Sequence, residues 1–307
     1  MIKSNFLLHP LSWYSSRSII SNNRVGAISD DRSAVVGNSN WCFIYEGSNN
    51  YYKSYIEEGL SSTKDEWIGI IEARQILCTE LDIQFLQLII PNKLTLIPYF
   101  FPGTLNTDVS FLMKELMNKR VNANLLIPVS DLRKNSVREA IFRRNDSHLT
   151  ISGNAYLADL IIKNLGIPIS RIPKISTQEI LHIGDLGGKF SNAVPEEMSA
   201  PLWDQGLFDQ KNLNKIEDFD PGRLVGIRQV FINHKAPIEK KLVVFGNSFF
   251  ERVPSWGLSP FFAAIFSEFH FIWSPNIDLN YLINGKFDIV ICQTCERFLT
   301  QAPDARI

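Results

Sequence analysis

Two short segments of this chain carry residue types that together can open an ester. Gly246-Asn247-Ser248-Phe249 follows the apolar run Lys241-Leu242-Val243-Val244-Phe245. A serine on the turn after a buried strand is where α/β enzymes place a nucleophile. Asn145-Asp146-Ser147-His148 supplies a carboxylate and an imidazole, the orienter and the base that such a hydroxyl needs. Asp146 can accept from Nδ1–H of His148, which leaves Nε2 free to take the Ser248 proton. The chain has 5 histidines. Of these, His270 also has a carboxylate two residues away, Glu268, but both lie in an apolar run that reads as structure. His148 has its carboxylate in a polar loop leading into a helix, for which Thr150 is the expected N-cap. Taken alone, that local pattern reads first as a carboxylate preceding a cap and a surface histidine. Nor is the serine in a G-x-S-x-G elbow, because the position two after Ser248 is Phe250.

These segments need a frame. Ser33–Val36 and Asn40–Tyr45 read as strands, and residues 63–81 as a helix from the spacing of Trp67, Ile70, Ile71, Arg74, Ile76, Leu77 and Leu81. Ile83–Ile90, ended by Pro91, is a central strand; Thr107–Lys119 is a helix, Ala123–Val129 a strand and Ser152–Asn164 a helix closed by Gly166. After residues 168–240, the pattern continues with a strand at Lys241–Phe245, a helix over Phe261–Phe269 and a strand at Phe269–Trp273. A short helix at Asp278–Asn284 and a strand at Phe287–Gln293 follow. Alternating strands and helices predict a mostly parallel sheet in an α/β fold. Residues 1–33 are expected to wrap the surface. Residues 34–167 and 241–307 are expected to form the α/β unit. Residues 168–240, rich in Pro, Gly, Asp and Asn with short β-like pieces, are expected to be an insertion or cap. Ser248 then falls beyond the carboxyl end of a strand, where such sheets bind ligands.

Composition narrows the classes. With 31 basic and 32 acidic residues and a net charge of −1, nothing marks a nucleic-acid surface or a polybasic membrane patch. No run reaches the roughly 18 apolar residues of a membrane-spanning helix, and the N-terminus makes a poor signal peptide, so a cytoplasmic location is expected. Cys292-Gln293-Thr294-Cys295 is formally C-x-x-C, but it continues a strand-like run that points the two thiols to opposite faces. With only Cys42 and Cys78 besides, no metal site is expected and the thiols read as buried and free.

A resemblance ties the two segments together. Asn145–Ala155 resembles the D-T-H-W-T-x-x-G segment of the SGNH hydrolase-like acetyltransferase family typified by the alginate O-acetylation proteins. Gly246-Asn247-Ser248-Phe249 resembles that family's nucleophile block. In the family's order follow Trp41-Cys42-Phe43-Ile44, Pro91-Asn92-Lys93 with Pro98-Tyr99, Gly184-Asp185-Leu186, Asn233 with Ala236-Pro237, and Glu296-Arg297-Phe298-Leu299. The matches span roughly residues 41–299. Leu149 departs from the aromatic the family has after the histidine, and Asn247 from its usual Asp or Thr.

The resemblance implies an SGNH-like three-layer sandwich with Ser248 as nucleophile, His148 as general base and then acid, and Asp146 as orienter. It implies an O-acyltransferase, most simply an O-acetyltransferase, that passes an acyl group through Ser248 to a glycan or glycan precursor. A carbohydrate esterase or deacetylase with the same triad is the alternative; a non-catalytic carbohydrate-binding protein on the same scaffold is the alternative from another class. No tightly bound cofactor is expected, and a soluble donor such as acetyl-CoA suits a chain without a leader. By position, Ser274, Gln293, Thr294 and the Ser248 turn with Asn247 are candidates for oxyanion or substrate contacts, and Tyr99 for the acceptor site. Glu296 and Arg297 read first as a structural ion pair.

Overall fold

The computed structural model describes residues 24–47, 50–57, 61–119, 124–136, 140–169, 172–173, 176–193, 195–201, 213–251 and 257–303. Residues 1–23, most of the expected surface segment, and Ala123 lie outside them. Eleven described strands run from β1 (Ala34–Val36) and β2 (Cys42–Ile44) through β3 (Gln84–Ile90), β4 (Leu125–Leu126), β5 (Thr177–His182) and β6 (Glu196–Pro201). They continue with β7 (Leu213–Phe219), β8 (Arg228–Asn233), β9 (Ile238–Gly246), β10 (Phe266–Trp273) and β11 (Ile289–Cys295). Seven of them form one sheet in the order β4-β3-β11-β9-β10-β8-β7. From β4 to β10 every pairing is parallel; β8 and β7 then add antiparallel strands at one edge.

The middles of the central strands are mostly apolar because both their faces are covered. Leu242–Phe245 and Ile289–Ile291 are almost wholly buried. Helix α1 (Ser61–Glu80) packs on β3, with Trp67, Ile71 and Cys78 buried at helical spacing. Arg74 interrupts that stripe and is itself buried. It donates to Gln87 Oε1 on β3 at 3.0 Å and to the Pro275 carbonyl at 2.6 Å, while Gln87 Nε2 donates to the Cys292 carbonyl at 2.8 Å. One buried guanidinium thus ties a helix to the sheet and to the loop after β10, with its charge spent on neutral acceptors.

Sequence and structure part at three elements. The run Phe266–Phe269 is strand from its first residue, because α6 (Ser259–Ile265) ends there and β10 gains ladder partners on both sides. Phe-rich segments buried on all sides do not declare their period. The strand expected over 123–129 is two described residues long; Val129 instead begins helix α4 (Val129–Ser136), with Leu132 N donating to the Pro128 carbonyl. Helix α3 (Phe111–Asn118) starts after Ser110 rather than at Thr107. The other expected elements stand within a few residues, α7 (Leu279–Gly285) with Asp278 as its N-cap among them. All four cysteines are free and buried.

Within 168–240, β5 and β6 form a separate hairpin, whereas β7 and β8 widen the main sheet. Among the described residues no helix is long and apolar enough to cross a membrane.

Helix α5 (Ile151–Asn164) opens as expected on Thr150, whose Oγ1 accepts from Gly153 N at 3.0 Å. A Cβ at Gly153 would lie 2.4 Å from the Ile141 carbonyl oxygen. Helix propensity favours alanine there by about 1 kcal/mol, but the contact is with backbone that cannot yield. Gly153→Ala is therefore expected to lower stability, read as a lower urea midpoint at unchanged slope; an unchanged or higher midpoint would show that the 141–150 hairpin can give way.

Candidate active site

The parallel strands place the ends of β3, β9, β10 and β11 on one edge of the sheet, and the segments that leave them form the site. After Gly246 the chain turns through Asn247–Phe250, with Phe250 N donating to the Asn247 carbonyl at 3.0 Å and Phe249 N to Asn247 Oδ1 at 3.2 Å. Phe249 and Phe250 are sunk in the core, which leaves Ser248 half-buried at the rim. Beside it β11 runs on, and Gln293 Oε1 accepts from Asn247 N at 2.9 Å. A Cβ at position 246 would lie 2.8 Å from that oxygen, so glycine admits the clamp.

The second segment is the tip of a small hairpin. Phe142 and Leu149 bridge its arms and Arg143 N donates to the His148 carbonyl at 3.2 Å. Leu149, where the resembling family has an aromatic, is wholly buried beneath the tip. Asp146 and His148 project from this loop to Ser248. His148 Nδ1 lies 2.8 Å from Asp146 Oδ1, and His148 Nε2 lies 2.9 Å from Ser248 Oγ. With Nδ1–H donating to the Asp146 carboxylate, Nε2 accepts from the Ser248 hydroxyl. The three residues singled out from the sequence are one hydrogen-bonded relay.

Asp146 is 4% exposed, and its carboxylate collects several donors. Oδ1 also accepts from His148 N at 2.8 Å, while Oδ2 accepts from His182 Nε2 at 3.2 Å and Asp185 N at 3.3 Å and faces Arg143 Nη1 at 3.6 Å. Burial alone would raise its pKa, but the hydrogen bonds from His148 and His182 and the Arg143 charge outweigh it and hold the carboxyl far below the usual carboxylate range. Asp146 is therefore an anion wherever His148 can work as a base.

His182 and Asp185, which sequence reasoning missed as site residues, come from β5 and the turn after it. Asp185 takes the Ser147 amide at 2.6 Å and its hydroxyl at 2.5 Å. Leu186 N and Gly187 N donate to the Asn145 carbonyl at 3.1 and 2.8 Å, and Asn145 N donates to Glu196 Oε1 on β6 at 2.8 Å. The loop is gripped from the other side by Lys93, whose buried Nζ donates to the carbonyls of Cys42 at 2.7 Å and Arg144 at 2.9 Å and lies over the Trp41, Phe43 and Phe142 rings. Burial pulls the Lys93 pKa down to about 8. The Gly184-Asp185-Leu186 element was visible in the sequence; that it closes on Asp146 depends on tertiary placement alone. Asp146, His148 and Asp185 also offer ligand atoms within 4.8 Å of one another, but each already serves a hydrogen bond in the relay or the loop.

The other expected residues divide. Gln293 is buried and clamps the nucleophile turn. Asn247 caps that turn and reaches Cys295 Sγ at 3.7 Å. Thr294 is half-buried on β11. Ser274 turns its hydroxyl to its own loop, donating to the Asn276 carbonyl at 2.8 Å, and its amide donates to the Gly246 carbonyl at 3.0 Å. Tyr99 is exposed with its ring against Phe100. The expected Glu296–Arg297 ion pair is absent among the described residues. Glu296, 2% exposed, accepts instead from Tyr51, Tyr55 and Thr95 hydroxyls at 3.2, 3.0 and 2.8 Å and from Asn92 and Ser110 amides at 2.9 and 3.2 Å. Neutral donors pre-empt the carboxylate, and Arg297 points to Ser248.

Solved structures share this fold at low sequence identity. Bacillus cereus PatB1 aligns over 87% of this chain and 97% of its own, at TM-score 0.59 and 12% identity. The O-acetyltransferase domain of Pseudomonas putida AlgJ aligns over 89% and 94%, at TM-score 0.58 and 14% identity. A DHHW family protein from Eubacterium siraeum aligns over 89% and 92%, at TM-score 0.57 and 13% identity. No protein-family profile matches the chain, and no curated protein matches it in sequence. The similarity is one of fold: a mixed α/β chain around a seven-stranded, mostly parallel sheet with additional β hairpins.

Gly184 has φ +76, and a Cβ there would lie 2.2 Å from the Asn145 carbonyl oxygen. Gly184→Ala is expected to lift the cap segment from the loop, costing about 1–3 kcal/mol of stability and roughly 10-fold or more in ester turnover. Wild-type turnover and urea midpoint in this variant would show that the cap does not hold Asp146 in place.

Proposed function

We propose that this protein is a serine-dependent O-acetyltransferase of the SGNH-like kind, acting on a glycan or glycan precursor. The observation that carries the reading is the unbroken relay from Asp146 through His148 to Ser248 at the carboxyl edge of the sheet. The fold shared with the AlgJ O-acetyltransferase domain supports it. A second PatB1 structure of the same fold carries a sulfonyl adduct.

In this reading Ser248 Oγ attacks the donor's acyl carbonyl as its proton passes to His148 Nε2. Asp146 fixes the imidazole and offsets the imidazolium charge. The tetrahedral state collapses, His148 protonates the leaving oxygen or sulfur, and the acyl group remains on Ser248. A sugar hydroxyl then gives its proton to His148 and attacks the acyl-serine, and the serine is restored. The Ser248 amide, with Asn247, Gln293, Thr294 and Ser274 around it, is the proposed surround of the acyl oxygen, and Tyr99 a contact for the acceptor. Acetyl-CoA is the proposed soluble donor. Residues 34–167 and 241–307 form the proposed catalytic unit with the SGNH-like layering. Within 168–240 the β5–β6 hairpin acts as a cap and β7–β8 widen the sheet.

His148 keeps 22% of its side chain exposed, which gives water a path to the same intermediate. That observation favours an esterase as the second reading. Ser248→Ala and His148→Ala are each expected to lower hydrolysis of an aryl acetate at least about 10³-fold with unchanged thermal melting. Wild-type rates in both would refute the triad. Mass spectrometry of candidate sugars incubated with an acetyl donor separates the two readings: acetylated sugar marks a transferase, free acetate alone an esterase.

A further inference from the structure

The 3-10 turn Glu296–Phe298 leaves β11 with two adjacent charged side chains that take opposite courses. Glu296 goes inward to its five donors and cannot neutralise its neighbour. Arg297 is 8% exposed. Its guanidinium lies over the Phe249 ring at 5.5 Å and the Phe298 ring at 5.0 Å, which fixes its plane. Nη1 is buried without a hydrogen-bond partner, and Nη2 lies 3.5 Å from Ser248 Oγ. Among the described residues no carboxylate stands within ion-pair distance of it.

A buried cation with no counter-charge is costly. Here it faces a hydroxyl that is neutral at rest and becomes part of an anion only during reaction. Interactions that strengthen in the transition state are the ones that accelerate chemistry. Gln293 Nε2 is another buried donor without a partner on this edge, but its amide is committed through Oε1 to the Asn247 backbone, whereas Arg297 addresses the nucleophile itself.

We propose that Arg297 is a catalytic residue, whose Nη2 donates to the oxyanion formed when Ser248 attacks an acyl carbonyl. The inference rests on the acyl-serine reading above. As the Oγ–C bond forms, the carbonyl π pair moves to oxygen and the serine proton goes to His148. On collapse that pair re-forms the carbonyl, the bond to the leaving group breaks, and the His148 proton leaves with it. Arg297 transfers no proton; it supplies charge to an oxygen that shares one carbon with Oγ, so a donor this near Oγ reaches it with little movement. The contact is long in the resting enzyme, as catalytic hydrogen bonds often are before substrate binds.

The test uses the full chain and an alkyl fluorophosphonate. This probe forms an Oγ–P bond with loss of fluoride, places its phosphoryl oxygen where the acyl oxygen would sit, and needs no knowledge of donor or acceptor. Arg297→Met is expected to slow labelling of Ser248 roughly 10²-fold, and to lower kcat on an aryl acetate by a similar factor with KM little changed. Arg297→Lys, which keeps the charge but loses the fork, is expected to recover part of both. Should the Met variant not fold, Arg297→Gln replaces it, with the same expected ordering below Lys. Labelling and kcat within about 3-fold of wild type in a folded Met or Gln variant, or a change in KM alone, would overturn the proposal; so would a Lys variant no faster than Met or Gln. Ser248→Ala, run alongside, keeps the two readings apart. Activity surviving in Ser248→Ala removes the acyl-serine reading itself, whereas an inactive Ser248→Ala beside a fully active Arg297→Met removes only the role of Arg297.

Discussion

A carboxylate removed from water must be given donors, and the site is organised around how Asp146 obtains them. Two come from its own loop, through the amide and Nδ1 of His148; two come from the end of β5 and the turn after it, through His182 and the amide of Asp185. Arg143 adds charge from the hairpin arm beneath. The same contacts that satisfy the anion also fix the imidazole ring, so the orientation of His148 toward Ser248 is a by-product of solvating Asp146 with protein groups. A small apolar cluster of Ala34, Val36, Cys42 and Leu186 packs β1 and β2 against the segment that carries Asp185, and β6 contributes Glu196 to the loop. The β5–β6 hairpin and the turn within it are therefore part of the hydrogen-bond framework of the Asn145–His148 loop.

Four other buried charges show how environment sorts structure from chemistry. Arg74 and Lys93 spend their protons on carbonyl and amide oxygens and hold elements together. Glu296 is satisfied by hydroxyls and amides from three separate segments and pins the end of β11. Arg297 alone among these four is left with a buried unpartnered nitrogen, and it is the one beside Ser248. Satisfied charges cost little to keep; an unsatisfied one needs a partner that arrives with the reaction.

Much of this was legible in the sequence. The Ser248 turn followed from a continuous apolar strand ending in glycine. The D-x-H before a threonine cap was visible, and the cap hydrogen bond is formed, but that pattern alone favoured a surface histidine; the resemblance joined it to Ser248. The Leu242–Phe245 part of β9 and the Ile289–Cys292 part of β11 announced themselves because stretches buried on both faces read as unbroken apolar runs. The Phe266–Phe269 segment did not, because its phenylalanines are buried on every side and fit either period. Neither His182 nor Asp185 carries a local signal of its role: their partners lie 36 and 39 residues away and meet them only when the hairpin folds back. The pairing of Glu296 with Arg297 was misjudged because adjacency of opposite charges says nothing about competing donors, here two tyrosines some 240 residues earlier in the chain.

In the acyl-transfer reading an acyl group resides covalently on Ser248 during turnover. Acid quenching of the protein while it turns over an aryl acetate, followed by peptide mapping, reads this out. One acetyl group is expected on the peptide containing Ser248, lost on incubation with an acceptor and absent from Ser248→Ala. Continuing turnover with that peptide unmodified, or with the acetyl group carried on a different side chain, would contradict it.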